Sequence, residues 1–425
     1  MTAPADRIDA PGRPGARPPH EPSHLGYRLF IGIAMASSAI SIDLILPAFV
    51  KIRQDFGLPA DSSATAGLIT AFFLGLACGP IPFGLLTDRV GRKPTVLLAC
   101  LLFVVGAVAA TLAPSLALIK LARFVWGFGA AGLRVATTAM IRDRYSGAEM
   151  GREMSFAMTV FIIVPIFAPL VGAGIVKVIP WRGAFLVCAV FAVAIAVWSL
   201  RMPETLSPAD RQRLNVRQVG VAATAIARNR KSLAYTLAMM SLFGVFSSYL
   251  ASSERIVGDV FHHQSWFPFV FGGTAVAMGL TTLTVGPRIE RVGIDRLIAR
   301  TLAVFAGASV VLLVVTRAAG GRPNFWLFLA LLTVVLAGFS LLNSNLNAAA
   351  MTPVGHVAGT AAALMATAST AVGALVGSRI DQAFDGTANP LSLAFAAAGC
   401  IALALVAWGR REEARVGSES RSVSA

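Results

Sequence analysis

Charge is what this sequence has least of. Only 13% of its 425 residues are Asp, Glu, Lys or Arg, against 56% hydrophobic, and mean hydropathy is +0.73. A soluble chain of this length would form two or three water-facing domains, and such a composition excludes that. Cysteine is scarce too. Cys78, Cys100, Cys188 and Cys400 all lie inside apolar segments and form no CxxC pair, so they read as small buried hydrophobes rather than redox or metal ligands. A basic cluster is also missing: the formal charge of +15 is scattered through short loops, which argues against a nucleic-acid partner. No nucleophile–base constellation and no metal-ligand spacing appears, and the pair His262–His263 has no further ligands near it. No enzyme, cofactor or metal is expected.

What the sequence has is apolar runs of bilayer-crossing length, repeated along its whole extent. The expected fold class is an all-α polytopic membrane protein, with 12 transmembrane helices in two six-helix bundles related by a pseudo-twofold axis. Spans are expected near 28–49, 65–87, 94–113, 116–141, 154–177 and 183–201, then 233–254, 266–286, 297–316, 324–350, 356–378 and 390–409. This gives a disordered proline-rich tail (1–26), a first bundle (27–201), a polar arginine-rich linker (202–232), a second bundle (233–409) and a tail (410–425). Lys51, Arg53, Lys177, Arg182, Arg255, Arg317, Arg322 and Arg379 fall on one face, while most of the other Lys and Arg fall on the face holding both termini. That roughly three-to-one bias places both termini in the cytoplasm. Gly75 with Gly79, and Gly373 with Gly377, are small-xxx-small pairs suited to close helix contact.

A few ionisable residues interrupt the apolar runs. Asp43 lies inside the first span, where an acid costs about 2.5–3.5 kcal/mol and is expected to face the bundle interior. Burial favours its neutral form and a nearby cation opposes that, so it is a candidate proton carrier; a static partner for an arginine is the alternative. Arg123 and Arg134 are eleven residues apart on the fourth span, close to three helical turns, and share a face that must look into a polar cavity. Arg123 is expected to share a site with Asp43, whereas Arg134 reaches either that site or the cytoplasmic mouth. Asn343 and Asn347 share one face of the tenth span, as substrate contacts or as helix–helix glue. Met239, Met240, Phe243 and Phe246 are candidates for an adaptable apolar pocket.

The stretch Gly84-Leu-Leu-Thr-Asp88-Arg-Val-Gly91-Arg92-Lys93-Pro94 puts four charged residues within six positions between two spans, and Gly286-Pro-Arg-Ile-Glu290-Arg291-Val292-Gly293 echoes it in the second half. The first of these resembles the signature between the second and third helices of the major facilitator superfamily. Leu121-Ala-Arg123-Phe-Val-Trp126-Gly127-Phe-Gly129 resembles its fourth-helix motif, and Ala168-Pro169-Leu-Val-Gly172 resembles its antiporter motif. Trp181-Arg182-Gly-Ala-Phe185 and Met202-Pro203-Glu204-Thr205-Leu206 bracket the sixth helix in the same manner. Ser41-Ile-Asp43-Leu-Ile-Leu-Pro47-Ala48 and Gly355-His-Val-Ala-Gly359-Thr360-Ala-Ala-Ala-Leu364 narrow the likeness to drug/proton antiporters of the bicyclomycin/chloramphenicol-resistance type. Trp126 stands where that family usually has glutamine, Arg134 is an additional arginine, and Met35 replaces an acid of some relatives.

The resemblance implies export of small amphipathic compounds in exchange for protons by a monomer in a bacterial-type inner membrane. A metabolite exporter of the same fold and a non-transporting membrane sensor are the alternatives. It further implies proton coupling at Asp43 and Arg123 and a conformational latch of Gly84, Asp88, Arg92 and Asp143; the residues themselves, two of them departures from the family pattern, suggest a substrate cavity with Arg134, Trp126, Asn343 and Asn347. In that latch Asp88 would accept bonds at a helix N-terminus of the partner half, and Arg92 would bridge to Asp143.

Overall fold

Pro47 decides where the first helix stops. It has no N–H to give the carbonyl of Asp43, so α1 (His24–Asp43) ends there, a 3-10 turn at Leu46–Ala48 follows, and α2 (Phe49–Asp55) completes the crossing. The computed structural model describes residues 24–59, 62–207, 209, 211, 216–285 and 292–423. The second span is bent by 41° between α3 (Ala66–Cys78) and α4 (Pro80–Val90), where Gly79 and Pro80 interrupt it. The hairpin after α4 turns at Gly91, whose φ of +112° suits glycine. The first half continues with α5 (Arg92–Leu112), α6 (Leu116–Arg144), α7 (Gly147–Val178, with Pro165 and Pro169 inside it) and α8 (Arg182–Leu200).

The linker contains a helix that its polar composition hides. In α9 (Val216–Arg228), Ala222 and Ile226 are buried, while Arg217, Gln218 and Arg228 are exposed. The second half then runs through α10 (Arg230–Arg255, prolonged by a π-helical turn to Val260), α11 (Phe267–Val285), α12 (Ile294–Ala318), α13 (Phe325–Met351), α14 (Ala358–Gln382) and α15 (Asn389–Val423). Among the described residues eleven helical spans are long and apolar enough to cross a bilayer, and the bent α3–α4 pair makes twelve. The hairpin echo at Gly286–Gly293 falls largely outside the described residues, as do the first 23 residues of the tail and part of the linker.

The pairings within each half repeat. Helix α1 packs on α7 as α10 packs on α14, α3 on α6 as α11 on α13, and α5 on α6 and α8 as α12 on α13 and α15. Among the described residues the two most extensive seams between the halves are α3 with α14 and α7 with α11, and exchanging the halves exchanges these seams. At the α7–α11 seam a methyl on Gly272 would crowd the Ile166 carbonyl; within the first half, a methyl on Gly75 or Gly127 would overlap a carbonyl of α6 or α3, so these two helices cross at main-chain distance. Gly373 and Gly377 meet α10 in the same manner. Leucines and valines such as Leu101, Val105, Val190, Leu283, Val304 and Val314 cover the outer surface, as hydrocarbon requires. The helix α9 sits against α10 and α14 at the face that carries Arg92.

Candidate functional site

The break in α1 leaves backbone carbonyls without helical partners, and a buried arginine takes one of them. Arg123 on α6 donates from Nη1 to the Ser41 carbonyl at 2.9 Å and from Nε to the Leu68 carbonyl at 3.4 Å. Its guanidinium lies over the rings of Phe72 and Trp126, at 4.4 and 4.6 Å from their centroids. Asp43, two residues beyond the carbonyl that Arg123 holds, is only 4% exposed. Arg123 therefore fixes the backbone next to Asp43 and does not pair with its carboxylate: among the described residues Asp43 makes no ion pair within 4.0 Å. From the other half, Tyr249 comes within electrostatic reach of Asp43 and hydrogen-bonds Thr274 at 3.1 Å.

Arg134 stands three turns further along the same face of α6. Protein surrounds it, yet its side chain is exposed and makes no ion pair among the described residues, so it borders an interior space. Asn343 on α13 is exposed as well, and Asn347 is partly so. Trp126 corrects the expected cavity lining. It is 0% exposed, wedged between Phe72, Phe103 and Phe185 with centroids 6.3, 5.3 and 5.9 Å away, and it fills the core of the first half beneath Arg123. The apolar wall of the space comes instead from Phe243 and Phe246, which are only partly buried. Phe243 meets Phe73 of the first half at 5.3 Å, and Phe246 stacks on Phe339 at 4.3 Å.

The Arg92 hairpin is a network within the first half. Arg92 donates to Asp143 from Nε (2.7 Å) and Nη2 (3.0 Å), and from Nη1 to Asp88 (3.0 Å) and to the Thr87 carbonyl (2.7 Å). Glu204, just past α8, accepts from the backbone N–H groups of Arg92 (2.9 Å) and Lys93 (3.1 Å) and so caps α5 from a distance. Thr205 completes the network with a 2.8 Å bond to Asp143. The expected Arg92–Asp143 bridge is present. Asp88, however, serves Arg92 on its own hairpin rather than a helix terminus of the partner half, and a methyl on Gly84 would touch nothing within 4 Å. Among the described residues, Asp88, Arg92 and Asp143 clamp one bundle, and none of these bonds reaches the other.

A second polar cluster sits at the opposite face, and sequence reading passed it over as loop charge. Arg53 on α2 forms a two-pronged bridge with Glu254 on α10, at 2.9 and 3.2 Å, with Asp259 at 3.6 Å. Gln264 donates to the same Glu254 at 2.9 Å. Arg53 is 3% exposed and Glu254 is 0% exposed, although 201 positions of sequence separate them. Alongside, Ser248 donates to Asp381 on α14 at 2.7 Å and Arg255 lies over Phe384. No single-residue pattern points to such a pair; the only signal is that both charges lie at span ends on one face. With this face shut and Arg134 and Asn343 exposed on the other side of the midplane, the cleft between the halves opens toward the Arg92 face.

Known proteins agree with this geometry. A bicyclomycin resistance protein homolog of Haemophilus influenzae is 26% identical over 90% of this chain and 95% of its own length. The multidrug transporter MdfA of Escherichia coli is 28% identical over 52% of this chain and 53% of its own. Among solved structures, a D-xylose-proton symporter superposes with a TM-score of 0.71 over 91% of this chain and 96% of its own, at 14% identity, a likeness of fold alone. A family profile described as Major Facilitator Superfamily matches residues 31–378. The chain is a member of the major facilitator superfamily, a family of multi-pass membrane transporters rather than enzymes.

Proposed function

We propose that this transporter exports small amphipathic compounds, drugs among them, in exchange for protons, by alternating access between the two halves. The observation that carries the reading is Asp43: a buried carboxyl at a break in α1, with no ion pair among the described residues, its backbone fixed by Arg123, beside the cleft between the halves. An acid at such depth is neutral or paired, and among the described residues this one has no paired cation to hold its charge when the proton leaves. Proton exchange there changes the polarity of the cleft and with it the relative stability of the two facings. Arg134, Asn343 and Asn347 provide polar contacts and Phe243 and Phe246 an apolar wall, a mixture suited to amphipathic cargo. The resistance and multidrug functions named for the relatives favour drugs over metabolites. The Arg92 face and both termini belong on the cytoplasmic side of a bacterial inner membrane, by the excess of Lys and Arg there, and the unit of function is a monomer.

The test is efflux from proteoliposomes under an imposed pH gradient with a panel of amphipathic compounds. Asp43→Asn abolishes proton-driven efflux while leaving the protein folded and inserted. Undiminished efflux in that variant would remove Asp43 from the coupling. Counterflow with amino acids or siderophores but with none of the drugs would favour a metabolite exporter.

A further inference from the structure

We propose that Glu254, with Asp259 and Asp381 beside it, forms a second proton-binding site, on the second half, which Arg53 occupies when the Arg53 face is shut and protons occupy when it opens. The proposal rests on the alternating-access reading and concerns a site remote from Asp43.

The argument starts from which half owns each charge. Arg53 belongs to the first half, through α2. Glu254, Arg255, Asp259 and Asp381 belong to the second, through the end of α10 and the end of α14. With the face shut, two arginines confront three acids, so the acids outnumber the cations by one. Any movement that opens this face takes Arg53 away with its bundle. The second half then keeps one arginine against three carboxylates, and Glu254, which has no exposure with the face shut, loses both of its Arg53 hydrogen bonds. Arg255 acts on Asp381, Glu254 and Asp259 together, so it cannot replace the missing cation at all three, and His262 adds a further titratable group facing Asp259.

Breaking a buried pair by removing one partner is severely unfavourable because a charge is left uncompensated. Opening therefore needs a substitute for Arg53. The bond geometry names it: Arg53 donates two hydrogens to the two oxygens of Glu254, and a proton competes for those same lone pairs. Gln264, on the loop after α10, stays with the second half and holds the Glu254 carboxyl in place when Arg53 leaves. Acid on the Arg53 side thus favours opening to that side. For an exporter this has the useful sign, since the face that releases cargo then opens where protons are abundant.

The experiment measures the gate directly. Spin labels at Gln54→Cys and Ser265→Cys, both exposed and one on each half, report the separation at the Arg53 face of full-length protein in lipid nanodiscs, the four native cysteines being replaced by alanine. In the otherwise unaltered protein the long-distance population grows from about pH 8 to about pH 5, by up to about tenfold in the open-to-shut ratio per pH unit for each proton taken up. Glu254→Gln and Arg53→Gln each raise the long-distance population at about pH 8 and flatten the response, while Asp43→Asn keeps it. A flat response in the unaltered protein overturns the proposal, and so does a response that survives Glu254→Gln and Arg53→Gln but disappears in Asp43→Asn. Because the readout is distance and not transport, failure of Asp43 as the coupling residue leaves this result interpretable.

Discussion

Replacing Arg123 by lysine should destabilise the protein more than replacing it by methionine, the reverse of what conservative substitution suggests. Arg123 holds two carbonyls, of Ser41 and Leu68, and presents a flat face to Phe72 and Trp126. A lysine ammonium reaches at most one of those carbonyls and has no plane to lay against two rings. The second, 3.4 Å bond is worth about 0.6 kcal/mol at membrane values, and the lost ring contact about 0.5–1 kcal/mol. The ammonium is also more strongly hydrated than a guanidinium and must give up its water or its proton in a site with 0% exposure, so the total penalty is about 2 kcal/mol. Methionine loses both bonds and the ring contact, but it also removes a buried cation whose Nη2 has no partner. An intramembrane cation costs about 2.5–3.5 kcal/mol, which offsets the losses to within about 1 kcal/mol. The assay is thermal unfolding of the detergent-purified variants, followed by tryptophan fluorescence. A lysine variant as stable as the parent, or a methionine variant less stable than the lysine one, would refute the view that Arg123 acts through its planar, two-carbonyl geometry rather than through its charge.

Gly127→Ala pushes a methyl against the Phe72 carbonyl, so α3 and α6 must part, at about 1–3 kcal/mol in thermal unfolding. Gly84→Ala has open space and helical backbone, and it should raise stability by about 0.5–1 kcal/mol. Asp143→Asn leaves the buried Arg92 with a weakened partner and should cost about 1.5–3 kcal/mol. Glu204→Gln, at an exposed cap, should cost about 1 kcal/mol, and the order of the two losses is readable from their unfolding midpoints. Arg134→Gln should leave folding intact and raise the transport KM by up to about tenfold with less change in kcat, measured across several cargoes.

Much of the fold was legible because bilayers demand long apolar helices, and those leave runs that composition cannot hide. The bend at Gly79–Pro80 and the stop at Asp43 were written in proline, yet they disappear in a hydropathy window, which sees apolar residues on both sides. The α9 helix escaped for the opposite reason: its buried face is small, Ala222 and Ile226, and its arginines dominate the average. At the site, Asp43 and Arg123 were legible as charges where charge is expensive. Their relation was not, since sequence cannot tell a guanidinium aimed at a carboxylate from one aimed at the carbonyl two residues earlier. Trp126 was misplaced because an aromatic on a functional helix has the same spelling whether it lines a cavity or plugs a core. The Arg53–Glu254 pair depends on how two bundles meet, and nothing local to either residue encodes that.

The linker's two anchorages have a mechanical consequence. Its beginning is fastened to the first bundle by Glu204 and Thr205, and its end to the second by the seating of α9 on α10 and α14. Nine residues of sequence, 207–215, separate these two anchorages. At no more than ~3.3–3.6 Å per residue, nine residues can pay out at most ~30 Å. The bundles can therefore rock apart at that face only as far as this short tether allows, and shortening it would restrict the swing without touching a single residue that meets the cargo.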